Sequence, residues 1–274
     1  MASNLSTIGF VFEDEDDFQA MMTALAESAD WRLPARVGDY VVWRSRTGAE
    51  LWFHAAPPSA GPNGPDAVPE REIHGLTPFF EGRSEVRVKL TTRSHRDGDN
   101  AFEGMFVGWV NPDETGEGSY PLSFDAVDFA AHESLELPAV RTVRIAGFAR
   151  ELRAFGSLAA YEASRGSDAV PLAGQCFVPI GLFADAAEAD GDSDRGAGTA
   201  AATPSSSALL TGRVVEHTRL TNERTGRAFH WLVVESLDAT YDIVADPSVI
   251  VGEIRTGGTV EAVCWMFGRL IEEE

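Results

Sequence analysis

Lys89 is the only lysine among the 22 basic residues of this 274-residue chain; the rest are arginines. Basic residues are themselves outnumbered by 43 acidic ones, leaving a formal net charge of -21. The acidic excess is spread along the chain. It repels polyanions at long range and disfavours nucleic acid and anionic membranes as partners. Cysteine is scarce too: Cys176 and Cys264 offer neither a disulfide framework nor zinc-ligand spacing. No apolar run approaches the ~20 residues of a membrane helix. Met1–Ser6 lacks the basic region and apolar core of a secretory signal. These gaps point to a reducing, cytoplasmic setting.

Chemical signatures are equally sparse. There is no Gly-x-Gly-x-x-Gly turn, no Gly-Lys-Ser/Thr loop, no His-Glu-x-x-His and no Gly-x-Ser-x-Gly elbow. No cofactor, metal or catalytic residue is therefore expected. The acidic run Glu13–Asp17 misses the calcium-loop pattern and reads as a solvated helix start. Cys176 follows Gln175 but is flanked by Phe177, Val178 and Ile180, so it reads as a structural thiol rather than a nucleophile.

What is present first shows itself as a break in composition. Residues 185–207 contain no Leu, Ile, Val or aromatic side chain. Such a segment buries too little apolar surface to offset its ordering entropy. The expected organisation is an N-terminal domain over 1–184, a disordered acidic and Ala/Ser-rich linker over 185–207, and a compact unit over 208–274. In the first unit, residues 6–12 read as a strand, and Phe18, Met21, Met22 and Leu25 have helical spacing. A hairpin is expected over Tyr40–Arg44 and Glu50–His54, and a mobile loop over 57–70. Strands follow at 85–93, 102–110 and 140–155, with short helices at 125–135 and 158–164. This mixture predicts an α+β fold. In the last unit, strands are expected at 209–220, 229–237, 240–245 and 259–270, with Val214, Val233, Ile243 and Val263 buried.

The long first strand and polar hairpin tip of the last unit resemble the oligonucleotide/oligosaccharide-binding (OB) fold. The expected fold class is thus an α+β N-terminal domain plus a small all-β, OB-like barrel. Only four strands are clear there, and residues 175–183 are a candidate fifth. The opening β-α-β-β order, ending in Gly48-Ala-Glu-Leu-Trp-Phe-His54, resembles half of a glyoxalase-like (vicinal-oxygen-chelate) module. That resemblance implies a metal ligand on the first strand, where Ile8, Gly9, Phe10 and Val11 cannot serve. The two-unit layout and arginine bias resemble two-domain actinobacterial proteins with no firm activity.

Two sets of residues remain as candidate sites. Arg213, Arg219, Arg224 and Arg227, with His217 and His230, gather on the C-terminal hairpin beside Phe229 and Trp231, as a ligand-clamping surface would. Arg44, Glu50 and His54 are candidates for an N-terminal pocket. The function expected is a non-catalytic binding or interaction protein for an unknown protein or small molecule. The alternatives are a glyoxalase-like ligand-binding protein or enzyme built on the N-terminal unit, and an acidic inhibitor of a basic protein.

Overall fold

Asp14 begins the first helix by accepting a hydrogen bond from the Asp17 backbone N–H at 2.8 Å. The helix, α1 (Glu15–Glu27), carries Glu15, Asp16 and Asp17 in its first turn, where the helix dipole favours them, and buries Met22 and Leu25. The computed structural model describes residues 3–57, 72–165, 173–182 and 204–271. Four antiparallel strands follow α1 in sequence order: β1 (Trp31–Ala35), β2 (Gly38–Arg44), β3 (Ala49–Ala55) and β4 (Ile73–Phe80). Residues 6–12 are not a strand. Ser6–Ile8 form a 3-10 turn closed by Gly9 at φ 83. The reason is tertiary: Asn222 Nδ2 donates to the Ile8 carbonyl at 2.8 Å and Thr225 Oγ1 to that of Gly9 at 2.6 Å, occupying groups a ladder would need.

The other ten strands form one sheet. They are β5 (Glu85–Ser94), β6 (Met105–Val110), β7 (Pro121–Ala126), β8 (Ala139–Phe155), β9 (Cys176–Val178), β10 (Ser207–Thr221), β11 (Ala228–Ser236), β12 (Ala239–Ala245), β13 (Ile250–Val251) and β14 (Thr259–Ile271). A second helix, α2 (Leu158–Ser164), follows β8. This corrects the expected fold class. Among the described residues the protein is mostly β, with sheets of 4 and 10 strands, and not an α+β domain beside a small barrel. Residues 208–274 do not close a barrel alone: the fifth strand is β8, which runs parallel to β12 and antiparallel to β14. Among the described residues, Cys176–Val178 pairs only along the edge of β10. Residues 58–70 of the expected loop and 185–203 of the expected linker lie outside the described residues. At the linker's end, Ser206 is buried and Ser207 starts β10.

The pairings close two five-membered rings. One runs β5–β6–β7–β14–β8 and returns to β5. The other runs β10–β11–β12–β8–β14 and returns to β10. Each ring is a three-strand meander completed by the same two long strands, with one parallel pairing. The rings match in detail. Ile145 N–H donates to the Ser84 carbonyl and Met266 N–H to the Ser206 carbonyl, just before β5 and β10 respectively. Two residues on, Gly147 and Gly268 occupy matching crossings. A Cβ on Gly147 would stand 2.7 Å from Ile243 Cδ1, and one on Gly268 2.4 Å from Phe124 Cδ2. Closure through shared strands leaves few unpaired edges.

One apolar core runs through both rings, from Val86, Phe106 and Phe124 to Leu232, Ile243 and Met266. A second lies between the four-stranded sheet and the outside of the ten-stranded one, uniting Ile8, Leu25, Trp52 and Phe53 with Phe148, Phe229, Trp231, Val233 and Phe267. Strand β11 is therefore buried on both faces. Val214, Val233 and Ile243 are buried as expected. Val263 is only half-buried, because Ala262 and Cys264 take the inward positions beside a register shift at Val263/Cys264.

Candidate functional site

The hairpin between β2 and β3 sets the site. Ser45 Oγ accepts from the Ala49 N–H at 2.9 Å and meets Thr47 Oγ1 at 3.0 Å, and Gly48 turns the chain at φ 94. In this register Arg44 lies opposite Glu50. Arg44 Nε stands 3.0 Å from Glu50 Oε1, while Trp52 Nε1, two residues along the same face of β3, donates to Glu50 Oε2 at 2.8 Å. The Glu50 side chain is only 2% exposed.

Glu81, just past the end of β4, completes the group. It shares a side-chain hydrogen bond with Glu50. Its own carboxylate accepts from Arg144 on β8 and, at 2.8 Å, from Arg269 on β14. Arg144 also holds Glu85. Burial, the bond to Glu81 and the charge of Glu81 push Glu50 up to about 7, against the pull of Arg44 and Trp52. Glu81 moves the other way: burial raises it, but its bond to Glu50 and the two guanidiniums win. Burial and the neighbouring carboxyl thus favour the protonated form of Glu50, and the two guanidiniums favour the charged form of Glu81.

Above this pair opens a cleft of about 530 Å³ between the four-stranded sheet and the second ring. Its floor is Phe80, Leu220 and Trp231, and Arg44, Arg46 and Arg83 stand around it. Arg83 lies 5.1 Å over the Trp231 ring and bonds Glu216 at 2.7 Å; Arg46 reaches Glu223 at 3.1 Å. Both arginines are well exposed. The loop carrying Arg83 is pinned by Asp242. One oxygen of that carboxylate accepts from the backbone N–H groups of Arg83 at 2.7 Å and Ser84 at 2.6 Å, and the other from Trp231 Nε1 at 2.6 Å. Gly82 is required here, since a Cβ would fall 2.0 Å from Asp242 Cγ.

Of the N-terminal candidates, the structure brings Arg44 and Glu50 together and sets His54 apart. His54 is buried, with Nε2 3.1 Å from Thr77 Oγ1 and Nδ1 3.1 Å from Asn100 Nδ2, and its ring stacks on Phe102. Burial first, and His74 second, lower it to about 4, so it stays neutral.

The hairpin candidates are dispersed. Arg213 pairs with Glu235 at 2.5 Å, Arg224 reaches Ser28 Oγ at 3.4 Å, and Arg219 and Arg227 are exposed. Only His217 and His230 meet, at 2.8 Å with stacked rings, and burial lowers both. The hairpin tip clasps the N-terminal turn through Asn222 and Thr225. Cys264 is buried and its thiol pushed up to about 12; burial raises Cys176 as well.

Sequence reasoning missed Glu81, Arg83, Arg144, Arg269 and Asp242. The one local signal was Glu81-Gly-Arg-Ser84 ahead of an alternating strand, a pattern that also fits an ordinary turn. Among the described residues, no three His, Cys, Asp or Glu side chains gather as a metal-holding group. No helix among them is long and apolar enough to cross a membrane. Comparison with known protein families, curated proteins and solved structures finds no match to this chain.

Proposed function

We propose that the chain is a non-catalytic binding protein whose ligand is a small organic anion with an apolar body. The observation that carries this reading is the convergence of Arg44, Arg46 and Arg83 around an apolar-floored cleft in a chain of net charge -21. Guanidinium groups pair with carboxylates through parallel hydrogen bonds. Glu216 and Glu223 now hold Arg83 and Arg46 from exposed positions, where such pairs are worth about 0–1 kcal/mol, so a ligand carboxylate can replace them at little cost. Phe80, Leu220 and Trp231 would take the apolar body. Remote carboxylates oppose this weakly, because fields are screened beyond ~8 Å at physiological ionic strength.

The test is calorimetric titration with aromatic and aliphatic carboxylates and an aryl sulfonate at ~150 mM salt. Saturable binding is expected. Arg83→Ala should weaken it roughly tenfold or more, the size of a charge-assisted hydrogen bond. Absence of binding across the panel, or binding indifferent to Arg83→Ala, overturns the reading.

A second reading rests on the Glu50–Glu81 pair alone. Two carboxyls sharing a proton beside a cleft are the chemistry of general acid–base catalysis. In that case the bound molecule is converted. Recovery of every bound ligand unchanged after prolonged incubation overturns it.

A further inference from the structure

We propose that anion binding in the arginine-rimmed cleft is coupled to proton uptake by the Glu50–Glu81 pair, so that the ligand is held more tightly as pH falls through neutrality. This rests on the anion-binding reading above and adds its regulation. Three observations carry it. First, Arg44 serves two partners: its Nε is 3.0 Å from Glu50 Oε1, yet its side chain is 35% exposed and lines the cleft. Whatever negative charge Glu50 carries is charge that Arg44 cannot offer to a ligand. Second, Glu50 has almost no access to solvent and shares its hydrogen bond with another carboxyl. An anion placed above it meets a carboxylate that water does not shield. Third, Glu81 is clamped by Arg144 and Arg269, which favour its charged form and leave buried Glu50 as the carboxyl that gains a proton more readily.

The groups facing Glu50 come from every element around it. Arg44 approaches from β2, Trp52 from β3 and Glu81 from the end of β4. Behind Glu81 stand Arg144 on β8, Arg269 on β14 and Glu85 on β5. Across the cleft are Arg46 with Glu223 and Arg83 with Glu216. Among these, burial raises Glu50 to about 7 while the guanidinium-held Glu81 is lowered. By linkage, an anion near Arg44 raises the proton affinity of Glu50 further, and protonation of Glu50 strengthens anion binding by the same factor.

The experiment titrates the protein with an aryl sulfonate, whose own charge is constant near neutrality, at pH 6, 7 and 8. Buffers of different ionisation enthalpy report the protons exchanged. Expected are an affinity roughly five- to tenfold higher at pH 6 than at pH 8 and an uptake of roughly half a proton per ligand at pH 7, as for one half-titrated group. Glu50→Gln should abolish both the uptake and the pH dependence. The buffer series on the unmodified protein stands even if that variant folds poorly. Binding with equal affinity at all three pH values and no proton exchange overturns the coupling while leaving the anion site intact. Failure to bind at any pH overturns both.

Discussion

The two rings share one strand order and use their matching aspartates differently. Asp125, at the end of β7, is met by Arg96 at 2.8 Å as well as by Ser206 Oγ and Trp265 Nε1. Asp242, its counterpart on β12, receives neutral donors, among them two backbone N–H groups and Trp231 Nε1. Burial lifts Asp242 above the usual carboxylate range despite those bonds. Each aspartate bonds the residue that opens the other meander, Ser206 or Ser84, so the latches cross between the halves. The first latch is a charge pair. The second fixes the backbone of a loop and thereby aims Arg83 into the cleft. The four-stranded sheet packs over Phe229, Trp231, Val233 and Val244 of the second ring. Equal topology thus supports unequal roles, because the outer faces, not the ring order, decide where a cleft forms.

The most severe way to break this comparison is Gly82→Ala. The new methyl would displace the Asp242 carboxylate and orphan the donors it satisfies, at an expected cost of about 3 kcal/mol or more in urea unfolding. The matching position in the first latch is Pro204, which is exposed, and Pro204→Ala should cost at most about 1 kcal/mol. Similar losses from both substitutions would mean that the two latches are built alike.

Intermediate effects come from the buried titrating groups under the sheet. Glu50 is raised in the folded state, so its stabilising contribution is full below its unfolded value of 4.5 and is lost as pH climbs through about 7. His54 is lowered to about 4, so its contribution is full above 6.5 and is lost as pH falls toward 4. Glu50→Gln should therefore gain stability relative to the unmodified protein between pH 5 and pH 8. A constant difference across that range contradicts the assignment. The smallest effect belongs to the exposed Arg213–Glu235 pair on the second ring, where Arg213→Ala should change stability by at most about 0.5 kcal/mol. A larger loss would make that hairpin surface part of the second ring's support.

Local pattern was legible. The alternation in Glu85–Arg93, the helical spacing of Phe18, Met22 and Leu25, and the Thr47-Gly48 turn all became the elements they announced. Arg44 and Glu50 were legible as neighbours because a two-stranded register follows from its turn. Their partners were not. Glu81 comes at the end of β4, an unforeseen strand beside a Pro- and Gly-rich stretch, and Arg144 and Arg269 reach Glu81 from strands far along the chain. The missing apolar anchors in 185–207 suggested two separate units, but a break in composition carries no information about which strands pair across it.

By itself, then, the sequence determined many of the places where chain segments extend or turn, and which side of the alternating strands is apolar. Those properties depend on neighbours one to four residues away. Only the tertiary structure decided that β8 and β14 each serve two rings, that both faces of β11 are buried, and that Glu50 meets Glu81. Strand pairing and carboxyl–carboxyl contact are long-range. Their free energy comes from groups brought together by closure of the whole sheet, and a period of two residues is the same whichever strand lies alongside.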